Sequence, residues 1–275
     1  MHRGLLMLAG LLITMAGGVA MGQVPPIDPA LLMVRPGDSP IIISAPHGGT
    51  LPVPGVAPRE GVGVKKFATV RDDGTEVLAP MLAERLEKLT GKKPHLVVAL
   101  FQRKCVDVNR PAGDAFESDK AKPYYEAYHA ALAKARETVT AKHGRGLLID
   151  IHGQGADKDA IFRGTNGFKT VNHLFERSGK GALLGKGGLL GELAKRERKI
   201  IPANDSDDKE DPRYGGGFIV QTYGSKSGGT VDAVQLELGS KLRRNPGREQ
   251  FTTDLAESLA TFAGNHLPKS LPVKD

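Results

Sequence analysis

Two histidines, a glutamate and an arginine–asparagine–arginine group stand at or just beyond the ends of apolar runs in this 275-residue chain. PIIISAP (40–46) leads into His47. HLVVAL (95–100) leads to Arg103 and on to Asn109 and Arg110 of KCVDVNRP (104–111). GLLIDI (146–151) leads into His152, with Asp150 two residues earlier, and AVQL (233–236) leads into Glu237. Each residue alone has an ordinary structural explanation; four such run ends in one chain ask for a chemical one. Two imidazoles and a carboxylate make a three-ligand zinc site whose fourth position is left for water, and zinc lowers that water's pKa toward ~7. A separate carboxylate can take the water's proton and hand it to a leaving amine. Arginine grips a carboxylate bidentately or steadies an oxyanion. The set spells metal-dependent hydrolysis of an amide bond beside an anionic group.

The flanking sequence supplies elements to hold these residues. PIIISAP, HLVVAL, GLLIDIHG (146–153), GGFIVQTYG (216–224) and DAVQLELG (232–239) have the composition of strands, and CVDV is expected to continue or pair with HLVVAL. TEVLAPMLAERLEKLTG (75–91) predicts a helix carrying Val77, Met81, Leu82, Leu86 and Leu89, with Thr75 as its cap and Gly91 at its stop. KPYYEAYHAALAKARETVTAKHG (122–144) predicts a second, opened by Pro123 and closed by Gly144. EQFTTDLAESLATFAG (249–264) predicts a third, with its apolar stripe on Phe251, Leu255, Leu259 and Phe262. Residues 23–39 form a proline-broken lead-in. Residues 155–215 are rich in glycine and charge, with one short helix expected in GLLGELAKRER (188–198). Strands alternating with helices, several of them apolar throughout, predict an α/β fold: a single domain with a mixed sheet and helices on both faces. In such sheets ligands gather at the carboxyl ends of the strands.

Composition sets limits. With 40% hydrophobic and 25% charged residues, the chain is an ordinary globular one. The net charge of +7 comes from basic residues spread along the helices without interleaved aromatics, so no nucleic-acid partner is expected. The charge suits a small anionic amide or peptide substrate. MHRGLLMLAGLLITMAGGVAMGQ has the basic start, apolar stretch and small residues of a signal peptide over 1–22, leaving 23–275 as the mature domain. The expected location is secreted or periplasmic, with no stable membrane insertion after cleavage. The single cysteine, Cys105, cannot form an internal disulfide and lies in an apolar run, which predicts buried filling.

The order and flanks of the motifs carry a resemblance. APHGGTLP, RDDGTEVLA, RKCVDVNRP, LLIDIHGQG, GGFIVQTYG and AVQLELGSKLR resemble the successive motifs of the N-formylglutamate amidohydrolase family, itself related to the zinc carboxypeptidases. The resemblance runs from about residue 40 to 245. It implies a zinc-carboxypeptidase-like (phosphorylase/hydrolase-like) fold, a Zn2+ cofactor, and hydrolysis of an N-acyl amino acid or a cell-wall or poly-amino-acid fragment. Carried over residue by residue, it makes His47 and His152 zinc ligands and Glu237 the general base. Asn109 and Arg110 become the pair that receives a substrate carboxylate, and Arg103 an arginine that polarises the scissile carbonyl.

The chain departs from the pattern in places. Carboxypeptidases carry a glutamate ligand three residues after the first histidine; here that position is Thr50. The acid must come from Asp72, Asp73 or Glu76 of RDDGTE, and the resemblance favours Asp72. Asp150 is expected to orient a ligand or to be structural. Gln221 and Thr222 stand where the amidohydrolases often show basic, histidine-containing sequence. The DSDDKEDPRY run (205–214) is either a specificity loop or a solvated one. His95, His129, His143, His173 and His266 receive no role. The competing readings are a non-catalytic secreted binding protein that keeps the fold and an anion pocket, and a basic protein that binds anionic cell-wall polymer.

Overall fold

Burial on both faces explains why so many runs are apolar from end to end. In the computed structural model, which describes residues 27–226 and 228–268, seven strands form one sheet. Across the sheet they run β1 (Leu32–Arg35), β3 (His95–Ala99), β2 (Ile41–Ala45), β4 (Gly146–Gly153), β7 (Val231–Leu238), β5 (Ala160–Gly164) and β6 (Lys199–Ile201). The central β3–β2–β4–β7 pairs are parallel, and every residue of β2, β3 and β7 is buried. β1 and β5 join antiparallel to β3 and β7, which makes the sheet mixed as expected.

The helices are α1 (Thr75–Thr90), α2 (Ala112–Ala115), α3 (Lys122–His143), α4 (Asn172–Ser178), α5 (Gly181–Leu184), α6 (Leu189–Lys195), α7 (Phe218–Tyr223), α8 (Ser240–Arg243) and α9 (Gly247–His266). Side chains alternate across a strand, so each strand feeds two cores. Ile41, Ile43, Leu147, Ile149, Ile151, Val234 and Leu236 pack with α1, α4, α5, α6, α8 and α9. Ile42, Leu148, Val231 and Ala233 pack on the other face with α2, α3 and α7. On α1, Leu78, Leu82 and Leu86 recur every four residues and are essentially fully buried. Each such side chain contributes about 1.5–3 kcal/mol by leaving water. Among the described residues no helix is long and apolar enough to cross a membrane; the expected signal peptide, 1–22, lies outside them.

Several expectations need correction. GGFIVQTYG contains a helix, α7, not a strand. Its β-branched residues have strand propensity, but Ile219, Val220 and Tyr223 fall on one helical face and are buried there, and tertiary packing decides. CVDV is a turn that buries Cys105, Val106 and Val108 without joining the sheet. The core face of α1 is Leu78–Leu82–Leu86; Val77 and Leu89 are exposed. Its N-cap is Gly74, while the Thr75 hydroxyl donates back to the Asp72 carbonyl (2.7 Å). The lead-in contains β1, and 155–215 contains β5 and β6, strands too short and too closely bracketed by glycine and charge to show a period.

Candidate metal centre

One face of the sheet changes character along its length. On β4 the residues facing α3 and α7 run Leu148, Asp150, His152; on β7 they run Ala233, Gln235, Glu237. The register sets Ser44 beside Asp150, Asp150 beside Gln235, and His152 beside Glu237. Period-two alternation therefore turns an apolar face into a polar patch at the carboxyl ends of the strands. His47 arrives directly after β2, and Asp72 is brought over it by the turn before α1. That turn is held by Asp72 N–H donating to the His47 carbonyl (3.1 Å) and Thr75 N–H donating to the Asp72 carbonyl (3.2 Å). Gly74 closes it with φ 87°, and a Cβ there would fall 2.2 Å from the Arg243 carbonyl oxygen, so glycine is required twice over.

His47, Asp72 and His152 are all buried, and one donor atom from each lies within 4.8 Å of the others. Both imidazoles aim Nδ1 at the same Asp72 oxygen, at 3.3 Å from His47 and 3.2 Å from His152. Both turn Nε2 to a buried carboxylate, His47 to Asp107 (2.7 Å) and His152 to Asp150 (2.8 Å). Carboxylates at Nε2 fix the proton on that nitrogen and leave the Nδ1 lone pair for a metal, the usual arrangement behind ligating histidines. Asp150 is itself fixed by the Ser44 hydroxyl (2.5 Å). Arg103 donates from Nε to Asp107 (3.1 Å) and lies 3.6 Å from Asp72, and Arg59 lies 3.9 Å from Asp107. Four carboxylates (Asp72, Asp107, Asp150, Glu237) thus face two guanidiniums. With the two imidazoles neutral the acids outnumber the guanidiniums, an excess that a divalent cation would offset. Donor set, tautomers and charge all fit such an ion.

The electrostatics follow from burial and pairing. Burial opposes the charge on Asp72, yet N–H donation from Nδ1 of His152 and His47 outweighs it and holds the carboxyl well below its usual range; a bound cation would take the place of those Nδ1 protons. Burial likewise opposes charge on Asp107, but His47 and Arg103 hold it low. His152 is raised against burial, chiefly by Asp150. Glu237 goes the other way. Its burial, together with repulsion from Asp72 and Asp150, outweighs the attraction of His152 and Arg103 and pushes its carboxyl up to about 8.

These residues open into a cleft of about 580 Å³ lined also by Arg103, Asn109, Arg110 and Glu237. All seven residues singled out in the sequence therefore meet in one place. Of the three acids left open, Asp72 enters the cluster, whereas Asp73 is bound by Arg243 (2.6 Å) and Arg244 and Glu76 by Arg71 (3.2 Å). Thr50 is exposed and stands outside the cluster. Asn109 accepts from Ile219 N–H through Oδ1 (2.8 Å); since His152 Nε2 carries its proton toward Asp150, the nearby Asn109 amide group keeps its hydrogens for the cleft. Arg110 donates to the Lys66 and Asn109 carbonyls, and no carboxylate lies within 4.0 Å of it among the described residues. Pro212 to Gly217, the end of the charged 205–214 run and the glycines after it, wall the cleft, and Tyr214 lines it. Tyr223 does not; it is buried and its hydroxyl donates to the His129 carbonyl (3.0 Å). Asp107 and Gln235 were not singled out as site residues. An acid inside a buried run, within reach of a strand-end histidine, was the signal for the first.

No family model and no curated protein sequence matches the chain. Among solved structures, an N-formylglutamate amidohydrolase from Ralstonia eutropha JMP134 superposes with a TM-score of 0.56 at 16% identity, over 86% of this chain and 98% of that one. The two share a fold. A bacteriophage poly-gamma-glutamate hydrolase matches with a TM-score of 0.41 at 18% identity, over 85% and 87% of the two chains. A metallo-carboxypeptidase from Pseudomonas aeruginosa matches with a TM-score of 0.42 at 14% identity, over 85% and 60%.

Proposed function

We propose that the chain is a metal-dependent amidohydrolase, N-formylglutamate amidohydrolase-like, that cleaves an amide bond beside a carboxylate in an N-acyl amino acid or a short peptide. The observation that carries this reading is the convergence of His47, Asp72 and His152 with a separate buried carboxylate, Glu237, in one cleft edged by Arg103 and Arg110. His47 and His152 through Nδ1, and Asp72 through Oδ2, would hold zinc. When bound there, zinc supplies Lewis-acid polarisation of the carbonyl and acidifies water near neutral pH.

The chain's own residues do the rest. Asp107 and Asp150 keep the ligand imidazoles in the correct tautomer. Glu237 has one oxygen held by the Gln235 amide (2.8 Å), and the other, Oε2, has no hydrogen-bond partner among the described residues. Oε2 takes a proton from the attacking water as the C–O bond forms, and returns it to the amine nitrogen as the C–N bond breaks. A carboxyl whose surroundings raise it to about 8, and which a neighbouring cation would draw down, suits both directions of transfer near neutrality. Arg103 is fixed through Nε and Nη1 and presents its remaining nitrogen to the developing oxyanion. Arg110, with no acid partner among the described residues, and the Asn109 amide receive the substrate carboxylate. Lys65, Lys66 and Arg213 line the same cleft and favour an anionic substrate. The basic, apolar, small-residue N-terminus supports a location outside the cytoplasm, which N-terminal sequencing of the exported protein would check.

The test is turnover of an N-acyl amino acid panel that includes N-formyl-L-glutamate. Metal-dependent release of the free amine is expected. Arg110→Ala should raise KM with kcat nearly kept, the mark of binding that is equal in ground and transition states. Equal losses in kcat and kcat/KM would remove Arg110 from carboxylate binding, and no turnover across the panel would overturn the amidohydrolase reading.

A further inference from the structure

Gln235 lies one alternation before Glu237 on the same face of β7, and both ends of its buried amide are committed. Nε2 donates to Glu237 Oε1 (2.8 Å), and Oε1 accepts from the Gly217 N–H (2.8 Å). The Gly217 N–H can only donate, so it fixes which end of the amide faces which way. Gly217 belongs to a strap, residues 213–217, that walls the cleft. The strap is seated tightly. Asn166 N–H donates to the Gly215 carbonyl (2.6 Å), and the Gln221 side chain donates to the Gly216 carbonyl (2.8 Å). A Cβ on Gly217 would fall 2.3 Å from the Asn109 amide nitrogen, and one on Gly164 would fall 2.7 Å from Gly216 N.

Resting on the assignment of Glu237 as general base, we infer that Gln235 is a positioning residue that fixes the Glu237 carboxylate and ties it to the glycine strap. The terminal torsion of a glutamate is broad, and a carboxylate with one free oxygen needs an outside bond to hold its plane. Gln235 supplies that bond, and the strap supplies Gln235 with its own anchor. The wall against which substrate packs and the base that acts on it are thereby set by one side chain.

Two variants separate the halves of this inference. Gln235→Met keeps the volume and removes both bonds; Gln235→Glu keeps an acceptor for the Gly217 N–H and, assayed at alkaline pH where the new carboxyl and Glu237 do not share a proton, removes the donor to Glu237. Both should bind metal at wild-type stoichiometry. Both should lose about 10–100-fold in kcat, the scale expected of a misplaced group. Amide hydrogen exchange at Gly217 should quicken at least tenfold in Gln235→Met and stay near wild type in Gln235→Glu. KM should rise only in Gln235→Met, where the strap is released. Wild-type kcat in Gln235→Glu would overturn the positioning of the base, and unchanged Gly217 exchange in Gln235→Met would overturn the tie to the strap. Should Gln235→Glu fail to fold, as a lowered melting temperature would show, wild-type kcat in Gln235→Met decides against the positioning instead. If the wild type turns over nothing on the panel, the amidohydrolase reading and the positioning of a base fall together, and the exchange measurement still decides the tie.

Discussion

The two faces of β4 and β7 are made by the same strands and do opposite things. Toward α1 and α9 the alternating residues Leu147, Ile149, Ile151, Val234, Leu236 and Leu238 stay apolar to the strand ends. Toward α3 and α7 the series begins apolar and finishes Asp150, His152, Gln235, Glu237. The first face can be held by packing alone. The second buries four acids and two histidines, which is tolerable only where every charge is partnered. Rigid apolar packing behind, and a paired polar cluster in front, is how one sheet both holds itself and presents chemistry.

The comparison breaks hardest at Glu237. Glu237→Gln keeps the shape and removes the proton acceptor; turnover should fall about 10²–10⁴-fold with metal and fold retained, checked by kinetics beside elemental analysis. Loss of metal in that variant would move Glu237 from base to ligand. On the apolar face, Leu82→Ala leaves a cavity and should cost about 2–5 kcal/mol in urea unfolding, with metal stoichiometry unchanged. Asp107→Asn tests the acids behind the histidines of the polar face. It removes the carboxylate on His47 Nε2 and should weaken metal affinity about 10–100-fold in a chelator competition.

The smallest effect concerns a histidine outside the cluster. His95 is buried at the amino end of β3, away from the strand ends that carry the site, and burial, with Lys142 and His143 nearby, pushes it down to about 4. Between about 6.5 and 4 the unfolded chain binds a proton that the folded chain refuses. The stability His95 contributes is therefore present above 6.5 and lost as pH falls toward 4, on the order of 1–2 kcal/mol between pH 7 and 5. His95→Asn, which keeps an acceptor for the Gly37 N–H, should flatten urea midpoints over that range by this amount. An unchanged slope would remove His95 as the cause.

Much of this was legible in the sequence because burial on both faces writes itself as unbroken apolar runs, and the residue that ends such a run stands where ligands bind. His47, His152 and Glu237 stand out that way as candidates, and α1, α3 and α9 by their stripes. What was hidden depends on partners far along the chain. Asp72 is distinguished from Asp73 only by Arg243 and Arg244, some 170 residues away, which take Asp73 for themselves. Asp107 acquires its role from a histidine 60 residues earlier. α7 was misread because Ile219 and Val220 satisfy a strand pattern and a helical face equally well, and only the packing under α3 chooses.

The central claim is that His47, Asp72 and His152 hold one divalent metal ion. Elemental analysis of the purified protein, beside His47→Ala and His152→Ala, tests it most directly. The account predicts about one zinc per chain in the wild type and none in either variant, with both variants still folded. A wild type that takes up no metal after incubation with zinc, or variants that retain it, would contradict the account.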